Sequence, residues 1–213
     1  MQVSTILDDV RTQLFDPAPG VGWTDPELMT YLNEALTATA FVKPDCYVVE
    51  TPFTLAAGMI QNLPSDGVAL IDVPRNSPNG RVVTQVDKEL LDESNRFWPA
   101  GTMQAQVEHY TEDPRNPRRF VVFPPNNGAG VVDLIYGAVP PTVTYDAEEL
   151  SIPDSYQHAL TVFVLSKCYS KASARQSPQK AQDFMKQWGQ MLGMKSQAQI
   201  AIAPKVDASP GTT

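Results

Sequence analysis

The chain of 213 residues is long enough for one domain of ordinary size plus an insertion, and its hydrophobic share of 42% suits a protein with a buried core. Its 16 basic and 24 acidic residues give a formal net charge of -8, which disfavours tight binding to phosphate backbones or to anionic lipid. No stretch approaches the length of a membrane span and no signal-peptide pattern opens the chain, so we expect no membrane partner and synthesis in the cytoplasm.

The first predicted element is a short amphipathic helix. Apolar residues recur at intervals of three and four from Val3 to Leu14, and the proline-rich stretch that starts at Asp16 ends the pattern. One face of this helix should therefore be buried.

A second helix follows, and its start is the strongest local signal in the chain. Thr24 at the N-cap, Pro26 in the first turn and Glu27 three residues after the cap predict a capping box. Trp23 and Leu28 occupy the two positions of a hydrophobic staple. The predicted buried face then continues through Tyr31, Leu32, Ala35, Leu36 and Phe41.

From Cys46 to Leu150 the apolar runs become too short for helices and predict strands. The alternating segment 47–55 comes first, and the apolar run 68–73 follows it. Segment 81–86 comes directly after Asn79-Gly80, a turn signal that favours a hairpin.

The rest of this middle part is predicted to be mainly antiparallel. A short helix is expected over 87–94. Strands around 105–111, 119–123 and 131–139 are joined by short links, and short links favour an antiparallel meander in a small sandwich or barrel.

Two long helices are predicted near the C-terminus. Ser151 or Asp154 can cap the first, while Ser177 caps the second, with Pro178 at its first position and Gly193 at its end. The residues expected in the core of the helical part are Trp23, Leu28, Tyr31, Leu32, Tyr156, Leu160, Phe163, Phe184 and Trp188.

These elements predict an α+β fold in which the N- and C-terminal segments form a four-helix bundle with an inserted antiparallel β-rich domain, sandwich- or barrel-like. The expected division is 1–45 and 151–195 for the bundle, 46–150 for the insertion and 196–213 for an extended tail. Apolar tail residues alternate with small or polar ones, as in a strand that finds its partner on another protein. The tail residues predicted to dock are Ile200, Ile202, Pro204 and Val206.

The sequence carries no recognisable catalytic or cofactor motif. It lacks a Walker loop, a glycine-rich dinucleotide turn, a GxSxG elbow, an HExxH pair and paired CxxC motifs. His109 and His158 have no ligand partner at i+4, and Cys46 and Cys168 fit buried small hydrophobes better than a disulfide. We therefore expect no enzyme activity, no catalytic residue, no cofactor and no metal site.

Three segments carry a family resemblance through their order and spacing. They are residues 23–35 (Trp-Thr-Asp-Pro-Glu-Leu-Met-Thr-Tyr-Leu-Asn-Glu-Ala), residues 62–67 (Asn-Leu-Pro-Ser-Asp-Gly) and residues 152–160 (Ile-Pro-Asp-Ser-Tyr-Gln-His-Ala-Leu). Together they resemble head-to-tail adaptor (connector) proteins of tailed phages, over residues 1 to about 195. The chain departs from the family pattern at Ala172, where an acidic residue usually follows the lysine of the Tyr-x-Lys stretch.

The resemblance implies a ring, commonly of twelve copies, beneath the portal at one capsid vertex in the neck of the virion. Tail or nozzle proteins would bind its other face, and genomic DNA would pass through the lumen without specific binding. The C-terminal segment would reach the portal, so purified protein is expected as a monomer or weak oligomer that forms rings mainly on mixing with portal.

Three other functions stay open at this level. Another neck or tail-tube subunit would also form rings and have β-rich domains. A carbohydrate-binding or depolymerising module would need an exposed acidic pair or an aromatic platform. A small helical regulator with an unknown enzymatic activity ranks last, because no reactive group of residues in the sequence supports it.

Overall fold

In a computed structural model of the protein, the described residues are 1–18, 20–94, 97–144, 147–173 and 175–194. Within them the chain forms five α-helices and seven β-strands, an α+β fold. The helices are α1 (Val3–Leu14), α2 (Asp25–Val42), α3 (Lys88–Ser94), α4 (Gln157–Ser170) and α5 (Pro178–Met191). The strands are β1 (Val48–Thr54), β2 (Gly58–Asn62), β3 (Gly67–Asn76), β4 (Thr84–Gln85), β5 (His109–Glu112), β6 (Arg119–Asn126) and β7 (Val131–Ala138).

The predicted four-helix bundle is wrong. The helices are few and scattered along the chain, and those that pack together surround α4. Helices α1, α2 and α5 each pack against α4, whereas no pair among those three forms a comparable interface within the described part of the chain. Helix α3 belongs to the segment between β4 and β5. The helical layer, by which we mean α1, α2, α4 and α5, is therefore a central helix with three neighbours.

Helix α4 takes the central position because apolar and small residues cover its whole circumference. Every residue from Ala159 to Ser166 is buried. Thr161 is accommodated because its hydroxyl donates to the carbonyl of Gln157 at 3.1 Å. A helix of a four-helix bundle buries one stripe and leaves the opposite face in water, so a helix that is buried all round cannot form one wall of such a bundle.

The predicted capping box at the start of α2 forms only in part. Thr24 is the N-cap residue, as predicted, but its side chain makes no capping hydrogen bond. The Glu27 carboxylate interacts with the backbone amide of Thr24, and it also lies 2.7 Å from Nζ of Lys171 and accepts from the hydroxyl of Tyr31 at 3.0 Å. Phe41, which was predicted on the buried face of this helix, is mostly exposed.

Helix α5 starts where it was predicted to start, with Ser177 as its N-cap residue and Pro178 as its first residue, although the Ser177 side chain makes no capping hydrogen bond. The start of α4 differs from prediction. Helix α4 begins at Gln157 after a 3-10 turn, so neither Ser151 nor Asp154 is its cap. The carboxylate of Asp154 lies instead 3.0 Å from the amino group of Met1.

The strands form two sheets that together make up the β lobe, residues 48–138. The strand order is β1-β7-β3 in one sheet and β2-β6-β5-β4 in the other. The predicted meander is wrong, since β6 and β7 lie in different sheets. Purely antiparallel pairing is wrong as well, because β4 runs parallel to β5. Segment 86–108, which contains α3, supplies the long crossover that a parallel pair needs.

Side chains from both sheets meet in one core. Its buried members include Leu55, Val73, Tyr110, Phe120, Val122, Val132, Leu134 and Tyr136. The two sheets are therefore held together by apolar burial between them.

Strand β1 is an outer strand and contains a proline. The carbonyl of Tyr47 accepts from Ala138, and the amide of Leu55 donates to Gly130, so the odd-numbered residues here bond to β7. Antiparallel strands alternate the direction of their polar groups, so Pro52 lies at a position that faces away from β7. Its side chain is exposed.

One close approach joins the β lobe to the end of α2, and one hydrogen bond joins the segment before α4 to the start of the chain. A Cβ atom on Gly137 in β7 would lie 2.3 Å from the carbonyl oxygen of Pro44, so only glycine permits this approach. On another side, the amide of Leu150 donates to the carbonyl of Met1 at 2.8 Å. Close contacts therefore fix the chain both after α2, at Pro44, and before α4, at Leu150.

Candidate assembly surfaces

The titratable side chains of the described residues are spread over the molecule. His109 in β5 stacks on Phe123 with ring centroids 6.2 Å apart. Cys46 and Cys168 are buried and free, and burial raises the pKa of the first thiol to about 11 and of the second to about 12. Within the residues that the structure describes, no group of three or more His, Cys, Asp and Glu side chains is placed to hold a metal ion.

A buried arginine fixes the connection between α1 and α2. The side chain of Arg11 is only 6% exposed. Its Nη1 donates to the carbonyls of Asp16 at 3.1 Å and Trp23 at 3.3 Å, and its Nη2 pairs with the carboxylate of Asp25. Because a buried charge without partners costs several kcal/mol, these acceptors hold the arginine and the loop in one arrangement.

Asp16 organises the same loop from inside. Its Oδ1 accepts from the amide of Val21, and its Oδ2 accepts from the amides of Gly22 and Trp23, each at 3.0 Å. Burial raises the pKa of this carboxyl, but the three amides and the nearby charge of Arg175 lower it by more, and the pKa falls below its ordinary 3.8. The carboxylate is therefore charged at neutral pH.

Two cations beyond the C-terminal end of α4 hold the loop from the other side. Nζ of Lys171 donates to a loop carbonyl at 3.1 Å and to the carboxylate of Glu27 at 2.7 Å. Arg175 donates to the carbonyl of Leu14 at 3.2 Å, and its guanidinium carbon lies 5.5 Å from the centroid of the Trp23 ring. Contacts between residues far apart in sequence thus fix the loop on both sides.

This fixed loop presents apolar side chains to solvent. Phe15 is 87% exposed and Val21 is 98% exposed, and Pro17 between them is exposed too. Phe15 has a φ of 53°, in the left-handed region that is costly for an aromatic residue. We define the tip as Phe15, Pro17 and Val21.

A groove lies at the opposite end of α4, where α2 and α5 end and α4 begins. It encloses about 360 Å³. Helix α4 has 14 residues, and its C-terminal end holds the loop of the tip while its first turn lines the groove, which places the two about 20 Å apart. We define the groove by its lining residues Lys43, Tyr156, His158, Ala159, Met191 and Leu192.

Two further surfaces have an apolar character, one as a partly apolar hollow and one through exposed side chains. A hollow of about 460 Å³ runs beside α2, between Leu7, Pro26, Met29 and Val143. In the β lobe, the irregular segment around α3 carries mostly exposed large apolar residues, namely Val82, Leu90, Phe97 and Met103. Large exposed apolar side chains in groups are typical of protein interaction surfaces.

The residues predicted for the helical core all lie in the helical layer. Trp23, Leu28, Leu32, Leu160, Phe163 and Trp188 are buried there, and Tyr31, Tyr156 and Phe184 are partly buried against them. The residues predicted to dock, Ile200, Ile202, Pro204 and Val206, lie outside the described residues.

Sequence analysis missed Arg11, Asp16 and the tip. A signal for Arg11 was present, because it lies four residues after Leu7 and three before Leu14 and therefore belongs to the apolar stripe of α1. Asp16 and the tip have no such signal, because short polar and proline-rich stretches are ordinary loop sequence.

No helix in the described ranges is long and apolar enough to cross a lipid bilayer.

The chain matches a known protein family. The family model described as SU10 adaptor protein matches residues 1–209. The match spans the helical layer, the β lobe and most of segment 196–213, which extends it beyond the range that the sequence motifs covered. A comparison with curated proteins finds no match.

Proposed function

Because the chain belongs to the SU10 adaptor protein family, a family of phage head-to-tail adaptors, we propose that it is a structural protein of the virion neck that forms a ring beneath the portal. The ring connects the capsid to the tail, and genomic DNA passes through its lumen. This role requires no catalysis and no cofactor. The match of the family model to residues 1–209 is the observation that carries the proposal.

The proposed ring needs each copy to use two different surfaces. In a cyclic assembly, a heterologous contact joins one patch of a copy to another patch of its neighbour, and the ring closes when the rotation does. The helical layer supplies a projecting apolar surface in the tip and a concave one in the groove, which supports this arrangement. Twelve copies would be the usual number for such an adaptor.

The acidic character of the chain supports the proposed passage of DNA. Its net charge is -8, with 16 basic and 24 acidic residues. A wall rich in lysine and arginine would hold each phosphate it met, whereas an acidic or neutral wall lets the duplex slide. The DNA is thus proposed to pass through without specific binding.

We assign different partners to the three parts of the chain. The helical segments 1–45 and 151–195 contact neighbouring copies, and the inserted part 46–150 contacts tail or nozzle proteins through apolar residues such as Val82 and Leu90. Segment 196–213 binds the portal, and the alternation of Ile200, Ile202 and Val206 suits the addition of a strand to a sheet edge there.

Sizing the purified protein alone and mixed with portal tests the proposal. The expected result is a monomer or weak oligomer alone and a ring-shaped complex on the portal in negative-stain images. Binding to isolated tail tubes without binding to portal would contradict the proposal and assign the chain to the tail instead.

A variant that lacks residues 196–213 tests the role of the tail separately. Its affinity for portal should fall strongly, whereas a full-length variant with serine at Ile200, Ile202 and Val206 should match the deletion. Portal binding as tight as that of the unaltered chain would refute the docking role of this segment and leave the ring proposal standing.

A further inference from the structure

We propose that the tip of one copy inserts into the groove of the next copy and that this contact builds the ring. The inference rests on the ring proposed above and names the two surfaces that meet in it. One copy contributes Phe15, Pro17 and Val21, and its neighbour contributes the walls formed by Tyr156, Met191 and Leu192.

The positions of the two surfaces suit a head-to-tail contact. The loop of the tip is bound by Lys171 and Arg175 beyond the C-terminal end of α4, while Tyr156 and His158 at the start of α4 line the groove. Surfaces at opposite ends of one helix point to different neighbours, as a heterologous ring contact requires. The hollow beside α2 suits this contact less well. Asp25 lines this hollow and is also the ion-pair partner of Arg11, which fixes the loop of the tip. The hollow therefore reaches the same end of the molecule as the tip.

The loop that carries the tip is preorganised, which would favour its binding to a partner. Phe15 takes its left-handed backbone as the residue that ends α1: its amide donates to the carbonyl of Thr12 at 3.3 Å, and the amide of Asp16 donates to the carbonyl of Arg11 at 3.1 Å. These bonds, together with the side chains of Arg11 and Asp16, fix the loop while the Phe15 side chain stays 87% exposed. An apolar group held rigidly in solvent loses little conformational entropy when a partner covers it, which favours binding.

The charges beside the two surfaces are complementary. Asp8 and Phe15 line one small hollow on α1, and Asp8 has no cationic partner among the described residues. Lys43 lines the groove, and the described part of the chain gives it no acidic partner within ion-pair distance. Insertion of the tip would bring one unpaired anion toward one unpaired cation of the neighbouring copy, and such pairs fix the register of an interface.

Cysteine crosslinking on the portal tests the contact directly. A chain with Phe15→Cys and Met191→Cys should give a ladder of covalent oligomers under mild oxidation when portal is present. Each single variant should give no ladder, and Val82→Cys combined with Met191→Cys is the matched control for an exposed apolar site elsewhere. Native Cys46 and Cys168 are buried and should not react.

Charge reversal gives a second test that does not depend on oxidation. Asp8→Lys or Lys43→Glu alone should weaken ring assembly by roughly tenfold, and the two changes together should restore it. Circular dichroism of each variant checks that the chain still folds.

The outcomes separate this inference from the proposed function. Rings that form on the portal without a crosslinked ladder, and without rescue by the double charge reversal, would overturn the tip-and-groove contact while the adaptor role stands. A ladder from Phe15→Cys alone would indicate a symmetric contact and would also overturn it. If no ring forms with portal under any condition, the proposed function fails and this inference fails with it.

Discussion

The side-chain amide of Asn33 forms both hydrogen bonds that a neighbouring strand would offer to Val143. Its Nδ2 donates to the Val143 carbonyl and its Oδ1 accepts from the Val143 amide, each at 2.9 Å. Asn33 lies within α2 and Val143 follows β7. One side chain therefore ties the exit of the β lobe to the helical layer.

Replacing this amide should destabilise the protein measurably. Asn33→Ala leaves the amide and carbonyl of Val143 without their partners, and we expect the free energy of unfolding to fall by about 1–3 kcal/mol in urea denaturation. Asn62→Ala is the control, because the side chain of Asn62 is exposed and should change stability by less than about 0.5 kcal/mol. Equal effects of the two substitutions would show that the bonds to Val143 contribute nothing.

Asp16 should make stability depend on pH in the acid range. Its folded-state pKa lies below 3.8, so the charged carboxylate stabilises the fold at neutral pH and this contribution is lost as the pH falls below about 4. Asp16→Asn should be less stable than the unaltered protein at pH 7, and the difference should shrink between about pH 5 and pH 3. Denaturation at a series of pH values measures it, with exposed Asp183→Asn as the control; a difference that stays constant with pH would contradict the linkage.

Gly20 and Gly80 form a matched pair for separating steric clash from backbone strain. Both have positive φ, +66° and +69°, but a Cβ on Gly20 would lie 2.3 Å from Nη1 of Arg11 and 2.4 Å from the carbonyl oxygen of Trp23, whereas nothing lies within 4 Å of one on Gly80. Both alanine substitutions carry the cost of the left-handed backbone, and Gly20→Ala should destabilise the protein by at least about 1 kcal/mol more. Thermal unfolding of the two variants provides the comparison, and similar losses would mean that both Arg11 and the backbone at Trp23 shift freely to admit the methyl group.

Lys171 should control the ionisation of Glu27. Burial raises the pKa of Glu27, while the hydrogen bond and charge of Lys171, together with Tyr31, lower it by more, so that it lies below 4.5. Lys171→Met should therefore move the pKa of Glu27 upward, as followed by carbon-13 NMR of the carboxyl group. The control is Lys186→Met on the exposed face of α5. An unchanged Glu27 pKa in Lys171→Met would indicate that the contact is not formed in solution.

Periodicity in the sequence predicted α1, α2, α4 and α5 close to their observed bounds, because each has to bury apolar residues at helical spacing. Periodicity does not predict how many other elements pack around a helix. Val162 and Leu165 lie outside a single apolar stripe of α4, but only the folded chain shows that α4 is surrounded on every side. The four-helix bundle was the wrong arrangement for helices that had been correctly predicted.

Partners distant in sequence account for the other differences. Glu27 fits a capping box by its spacing, but its carboxylate is also bound by Lys171, 144 residues away, which the spacing could not show. Alternation of apolar residues predicted β6 and β7 as strands, but alternation does not determine which sheet a strand joins. The short link between these strands suggested that they pair with each other, whereas they lie in different sheets. The tip escaped prediction because exposure of an apolar residue depends on which surfaces the rest of the chain leaves uncovered.

Pro52 removes a backbone donor from the outward side of β1. An outer strand with a complete row of free amides can recruit a strand from another molecule, and repeated recruitment produces fibrous aggregates. A proline at such a position takes away one hydrogen bond and places a bulky ring in the path of the incoming strand. We therefore expect Pro52 to protect the protein against aggregation through this edge of the sheet.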